Sequence, residues 1–157
     1  MGLLLERDLH LSSSLDMLNH LAEILELEYE ETEDEEVLRR FCTVKSDIGR
    51  VSLGIGDFES ALENGSTALD LSEDIDGLEK PRLSAQITVG LGYYFLGQFE
   101  EAIDMFQTVL AESNEDVDVM LLVARALWAV GGEKERQVAR DQLRDWYVFD
   151  IRMLMIV

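Results

Sequence analysis

The side chains able to do chemistry are few and scattered. The 157-residue chain has two histidines, His10 and His20, and one cysteine, Cys42. The histidines lie ten positions apart. That is about 280° around a helix at 100° per residue, so they share no face. With a single thiol they cannot assemble a zinc site, and they read as ordinary surface histidines. Carboxylates are abundant, but "EETEDEE" at 30–36 lacks the alternating ligands and the glycine of a calcium loop. The segments "LGIGDFE" and "VGLGYYFLG" contain the Gly-x-Gly that opens a phosphate-cradling loop. Neither completes the motif, because Glu59 and Phe95 stand at the third glycine's place, and neither follows a strand. No histidine sits near a serine in a triad context. Asn64-Gly65-Ser66 matches a glycosylation acceptor, but it falls inside a predicted packed helix and reads as a chance match. These residues imply no enzyme, no metal and no cofactor.

Charge narrows the partners. Net charge is −20, with 28 acidic and 7 basic side chains in residues 1–120 against 5 and 6 in residues 121–157. An acidic surface repels phosphate, so direct nucleic-acid binding is not expected, and the surface suits a basic protein partner. One cysteine permits no internal disulfide. With no signal-like start, a reducing, cytoplasmic compartment is expected. The terminal "WYVFDIRMLMIV" falls far short of the roughly 20 apolar residues of a membrane span, and Asp150 and Arg152 interrupt it.

Hydrophobic spacing supplies the elements. Leu15, Leu18, Ala22, Leu25 and Tyr29 form one helical stripe, with Ser12–Ser14 offering N-cap hydroxyls at its start. "EETEDEE" then reads as an acidic turn or linker. A second stripe, Leu38, Phe41, Val44 or Lys45, Ile48, Val51 and Ile55, ends at Gly56-Asp57. A third helix carries Phe58, Ala61, Leu62, Ala68, Leu69 and Leu71, followed by the linker "SEDIDGLEKP" closed by Pro81, the only proline. A fourth covers "RLSAQITVGLGYYFL", a fifth Phe99 to about Leu110, a sixth "VMLLVARALWAV" stopped by Gly131-Gly132, and a seventh roughly 134–147. No period-two alternation appears. The fold class is all-α, with helices paired by short turns and packed antiparallel.

Two of these pairs are copies. "GDFESALENGSTAL" at 56–69 matches "GQFEEAIDMFQTVL" at 97–110, Gly56 on Gly97, Phe58 on Phe99, Ala61 on Ala102 and Ala68 on Val109. Val89-Gly90 with Tyr93, then Gly97, Ala102, Phe106 and Val109, resembles the tetratricopeptide repeat (TPR), a helix–turn–helix of roughly 34 residues. Ile48-Gly49, Gly56, Ala61, Gly65 and Ala68 give a first repeat, and Val123-Ala124, Leu127 and Gly131 a partial third. The offset from Gly97 to Gly131 is 34, whereas that from Gly56 to Gly97 is 41, the surplus lying in "EDIDGLEKP". The third repeat's second helix fits with Ala139, Leu143 and Trp146 after an enlarged turn. The expected architecture is a TPR-like helical-hairpin solenoid of about three repeats (37–147). An N-terminal helix and acidic turn, a degenerate repeat half, precede it (1–36), and an apolar tail follows (148–157).

The stretches "LRRFCTVKSDIGRVSLGIGDFESALENGSTALDLS", "RLSAQITVGLGYYFLGQFEEAIDMFQTVLAES" and "ALWAVGGEKERQVARDQL" also resemble the C-terminal repeat region of the large TPR scaffold subunit of fungal superkiller complexes. The resemblance covers roughly residues 15–145. It implies a non-enzymatic protein-binding scaffold that holds an RNA helicase and WD40-repeat subunits and supports cytoplasmic 3′-to-5′ mRNA decay by the exosome. Members of that family are many times longer, so the chain is expected to be a fragment or relative of such a subunit.

In a TPR array the first helices line a groove. Taking Gly49, Gly90 and Ala124 as equivalent, the partner-binding residues are expected to be Arg50, Leu53, Ile87, Leu91, Tyr94, Leu121, Arg125 and Trp128, an apolar and aromatic strip flanked by arginines. Two alternatives weigh less. A co-chaperone-type adaptor that clamps a peptide terminus needs Lys, Asn and Arg in the groove, yet Thr43, Ser46, Ser84 and Asp118 stand there. A basic RNA-contacting helix would use Lys134, Arg136, Arg140 and Arg144, but these alternate with apolar positions and read as a solvated face.

Overall fold

The computed structural model describes residues 2–73, 75–112 and 117–141. All regular structure in them is helical: α1 (Gly2–Thr32), α2 (Glu35–Ile55), α3 (Phe58–Ser72), α4 (Glu79–Phe95), α5 (Phe99–Glu112), α6 (Val117–Val130) and α7, described over 133–141. The chain divides into two compact units, residues 1–92 and 93–157, the division falling within α4.

In unit 1, α1 lays Leu15, Leu18, Ala22, Leu25 and Tyr29 against Val37, Phe41, Val44 and Ile48 of α2. The stripe read from the sequence is therefore the packed face. The serines, however, do not start it. α1 runs straight through Ser12–Ser14, and the Ser14 hydroxyl donates to the His10 carbonyl at 2.9 Å. A serine that bonds back one turn satisfies itself inside a helix and loses its value as a cap. The acidic segment is likewise shorter than expected. Only Glu33 and Asp34 separate α1 from α2, with Glu33 at φ 51°, and Asp34 caps α2 by accepting from the Glu36 N–H at 2.8 Å.

The α2–α3 turn is a glycine-terminated helix end. Gly56 has φ 82°; its N–H donates to Leu53 O at 3.2 Å and that of Asp57 to Ser52 O at 2.9 Å. Positive φ costs glycine nothing, which is why the helix ends there. Asp57 then caps α3 by accepting from Ser60 N–H. α4 begins two residues before Pro81, so the proline does not close the linker. Pro81 sits in the first turn of α4, where its missing N–H has no partner to lose, and its carbonyl accepts from Ser46 Oγ at 3.2 Å. Cys42, Ala68, Leu78 and Ala85 form the second cluster of this unit.

Unit 2 repeats the turn. Gly97 has φ 81°, its N–H donates to Tyr94 O and that of Gln98 to Tyr93 O. The same glycine-capped geometry thus recurs 41 residues on. α5 packs on α6, with Ala102, Phe106 and Val109 buried from one side and Val119, Val123, Ala126 and Leu127 from the other. Full burial of Phe106 alone stabilises by roughly 2–3 kcal/mol. Gly131, at φ 89°, turns the chain into α7, whose Ala139 is buried. α7 begins at 133, and Leu143, Trp146 and the tail 148–157 lie outside the described residues.

Candidate functional site

α6 sorts its side chains by face. Val119, Val123, Ala126 and Leu127 are buried, while Leu121, Arg125 and Trp128, at i, i+4 and i+7, point outward. Leu121 is 40% exposed and Trp128 52%. The Arg125 guanidinium lies 5.7 Å from the centre of the Tyr94 ring, and Tyr94 meets Phe95 and Phe99 edge-on at 5.4 and 5.5 Å. Beside them the guanidiniums of Arg136 and Arg140, from α7, stand 5.5 and 5.9 Å from the Trp128 ring. Arg140 also pairs with Glu133 at 2.8 Å. A cation over an exposed ring contributes about 0.5–1 kcal/mol and keeps its charge and donors available. This surface of unit 2 therefore offers a broad aromatic face and three guanidiniums within a strongly acidic chain.

Of the residues expected to line the groove, Tyr94 and Arg125 are in contact. On α7, Lys134 and Arg140 are exposed and Arg136 is half-buried, and the two arginines lie over the Trp128 ring. Phe95, 53% exposed and absent from the expected strip, belongs to the aromatic group.

The other four strip residues lie in unit 1. Arg50 is exposed on α2 and paired with Asp47 at 2.9 Å, and Leu53 is half-buried one turn on. Ile87 and Leu91 are half-buried on α4. Ser46, a position a peptide-terminus clamp would need, is buried and donates to Pro81 O.

The reactive side chains do not gather. His10 and His20 are exposed on α1, with His20 Nδ1 3.7 Å from Glu23. Cys42 is buried, donates to Ala68 O at 3.3 Å, and its thiol is pushed up by desolvation, which leaves it a packing residue. Among the described residues no group of three or more His, Cys, Asp or Glu could hold a metal ion, and no helix is long and apolar enough to cross a membrane.

Known proteins are similar in sequence and in fold. Superkiller protein 3 of Schizosaccharomyces pombe is 37% identical over 125 residues, 78% of this chain. Superkiller protein 3 of Saccharomyces cerevisiae is 33% identical over 146 residues, 92% of the chain. Over most of its length the chain is homologous to Superkiller protein 3. It spans 9% and 10% of the length of those two relatives. No protein-family model matches it. Two crystal structures of nearly identical TPR-like repeats from a Podosopora anserina kinesin-light-chain protein superpose with TM-scores of 0.70 and 0.68 at 17% identity. They cover 92% and 91% of this chain and 69% and 68% of theirs. That likeness establishes the fold: all-α and TPR-like.

Proposed function

We propose that the chain is a protein–protein interaction scaffold equivalent to a repeat segment of Superkiller protein 3, supporting cytoplasmic 3′-to-5′ mRNA decay by the exosome. By that resemblance its partners are an RNA helicase and WD40-repeat subunits. Residues 37–147 serve as three repeats, with 1–36 and 148–157 flanking them. The observation that carries the reading is the outward face of α6, where a half-exposed tryptophan and Arg125 stand on a helix whose opposite face is buried. Tryptophan, tyrosine and arginine are the residues that anchor interfaces. The partner-binding residues are Tyr94, Leu121, Arg125 and Trp128 in unit 2 and Arg50, Leu53, Ile87 and Leu91 in unit 1.

The test is affinity capture from cell extract with mass spectrometry, run beside a Tyr94→Ala/Trp128→Ala variant whose helicity is checked by circular dichroism. A helicase and a WD40-repeat protein are expected among the captured proteins, and the variant is expected to bind them weaker by about 2 kcal/mol. Raising salt should slow association more than it speeds dissociation. Capture of a chaperone instead would replace this reading with the peptide-clamp one. A folded variant with unaltered affinity would remove the strip.

A further inference from the structure

The connection between α3 and α4 carries the chain's surplus length. Gly56 and Gly97 are 41 residues apart, against 34 from Gly97 to Gly131. A surplus with no packing role would loop out as polar chain. Here it turns two apolar side chains inward. Leu78 is buried with Cys42, Ala68 and Ala85, and Ile75 packs against the same cluster. Asp76 and Gly77, between them, are exposed. The connection therefore lies across the cluster as a strap, apolar side down, and helps to seal Cys42, whose exposure is 0%.

One side chain fastens the strap. The Arg39 guanidinium, on α2, donates from Nη1 to the Asp76 carbonyl and pairs through Nη2 with Glu35 Oε1 at 2.6 Å. Gly77 makes room for it: its φ is 84°, and a Cβ there would stand 3.1 Å from Arg39 Nη1. The Gly77 N–H donates to Glu79 Oε1 at 3.3 Å. The upstream end is held weakly. α3 closes without a left-handed glycine; Glu73 keeps helical angles, and its N–H reaches Asp70 O at 3.5 Å. Segments with few buried apolar contacts and exposed backbone bonds open at a lower free energy than the whole fold. We infer that residues 75–78 form a strap that opens as a local unit, latched by Arg39, and that this opening, rather than unfolding of unit 1, is what bares Cys42. A buried thiol is inert and an exposed one is open to oxidation or alkylation, so the strap decides when the chain's one cysteine can react. Every group of the device lies within unit 1, between α2 and α4, and it is separate from the α6 face.

The full chain supplies its own probe, because Cys42 is its single thiol. Labelling with an aromatic disulfide (DTNB) under native conditions releases one thionitrobenzoate per chain, and the rate reads the opening. Arg39→Met keeps the aliphatic stem and removes the donors, and labelling should become about tenfold faster or more. Gly77→Ala, which sets a side chain at positive φ against the guanidinium, should act in the same direction. Arg40→Met, at the exposed neighbouring position, should label at the parent's rate, which separates the latch from a general loss of charge on α2. Urea below the unfolding transition tests the parent alone. Labelling through the strap should rise only weakly with urea, because a local opening exposes little surface. A parent rate that climbs with the full slope of global unfolding would overturn the proposal, and so would Arg39→Met labelling at the parent's rate.

Discussion

Gly65 in unit 1 and Phe106 in unit 2 occupy the same place in their repeats, 41 positions apart, and fill it in opposite ways. Phe106 is completely buried and supplies the core volume of its hairpin itself. At Gly65 the volume comes from a neighbour. A Cβ placed there would stand 2.7 Å from Val89 Cγ2, because α4 inserts its side chains into the space. Gly49 repeats the pattern, with Thr88 Cγ2, Ala61 O and Gly65 N at 3.1, 3.2 and 3.3 Å from such a Cβ. One register thus supports two solutions: a large residue where the helix pair fills its own gap, and a small one where backbones and a third helix come close.

Reciprocal substitutions give the largest effects. Phe106→Ala should cost about 4 kcal/mol by leaving a cavity in a fully buried site. Gly65→Leu should cost about 3 kcal/mol from overpacking, offset by up to about 1 kcal/mol of helix propensity. Chemical denaturation with hydrogen exchange checks both, and loss of protection should begin in unit 2 for the first and in unit 1 for the second. If Gly65→Leu were neutral, the close approach of α4 would not be the reason for the glycine.

Ala102 sharpens the comparison with a smaller effect. Its counterpart is Ala61, and both are fully buried, so here the two repeats agree on a small residue. Ala102→Leu should cost on the order of 2 kcal/mol, read as a lower thermal midpoint. An unchanged midpoint would break the register that equates the two hairpins.

How much could be read in advance follows from the range of each signal. The turn glycines were legible because only a left-handed backbone explains Gly56, Gly97 and Gly131 at the ends of apolar periodicities. Ala102, Phe106 and Val109 were legible because their spacing repeats. Ser12–Ser14 misled because the same hydroxyl that caps a helix can bond back within one, and sequence alone does not choose. On α1 the exposed Met17, Leu21, Ile24 and Leu27 stand apart from the packed stripe, and two apolar faces on one helix blur each other's periodicity. The arginines over Trp128 depended on α7 folding back onto α6, a contact between elements that no local spacing encodes.

The smallest expected effect concerns that contact. Unit 1 closes its gaps with buried small residues, whereas on the surface of unit 2 Arg136 and Arg140 lie over a ring that stays half exposed. Arg140 has Glu133 as a second partner, so Arg136 is the cleaner probe of the ring contact. A double-mutant cycle of Trp128→Leu and Arg136→Gln, read by urea denaturation, should return a coupling of about 0.5–1 kcal/mol, the magnitude of a cation over an exposed aromatic face. Such coupling is far below the cost of disturbing Phe106 or Gly65, as the proposed partner-binding surface requires. On that proposal the arginines hold the tryptophan in one orientation and yield when a partner arrives. A coupling near zero would mean that Trp128 is oriented by α6 alone, and a coupling above about 2 kcal/mol would mark the cluster as structural, too firmly closed to be opened by a partner at modest cost.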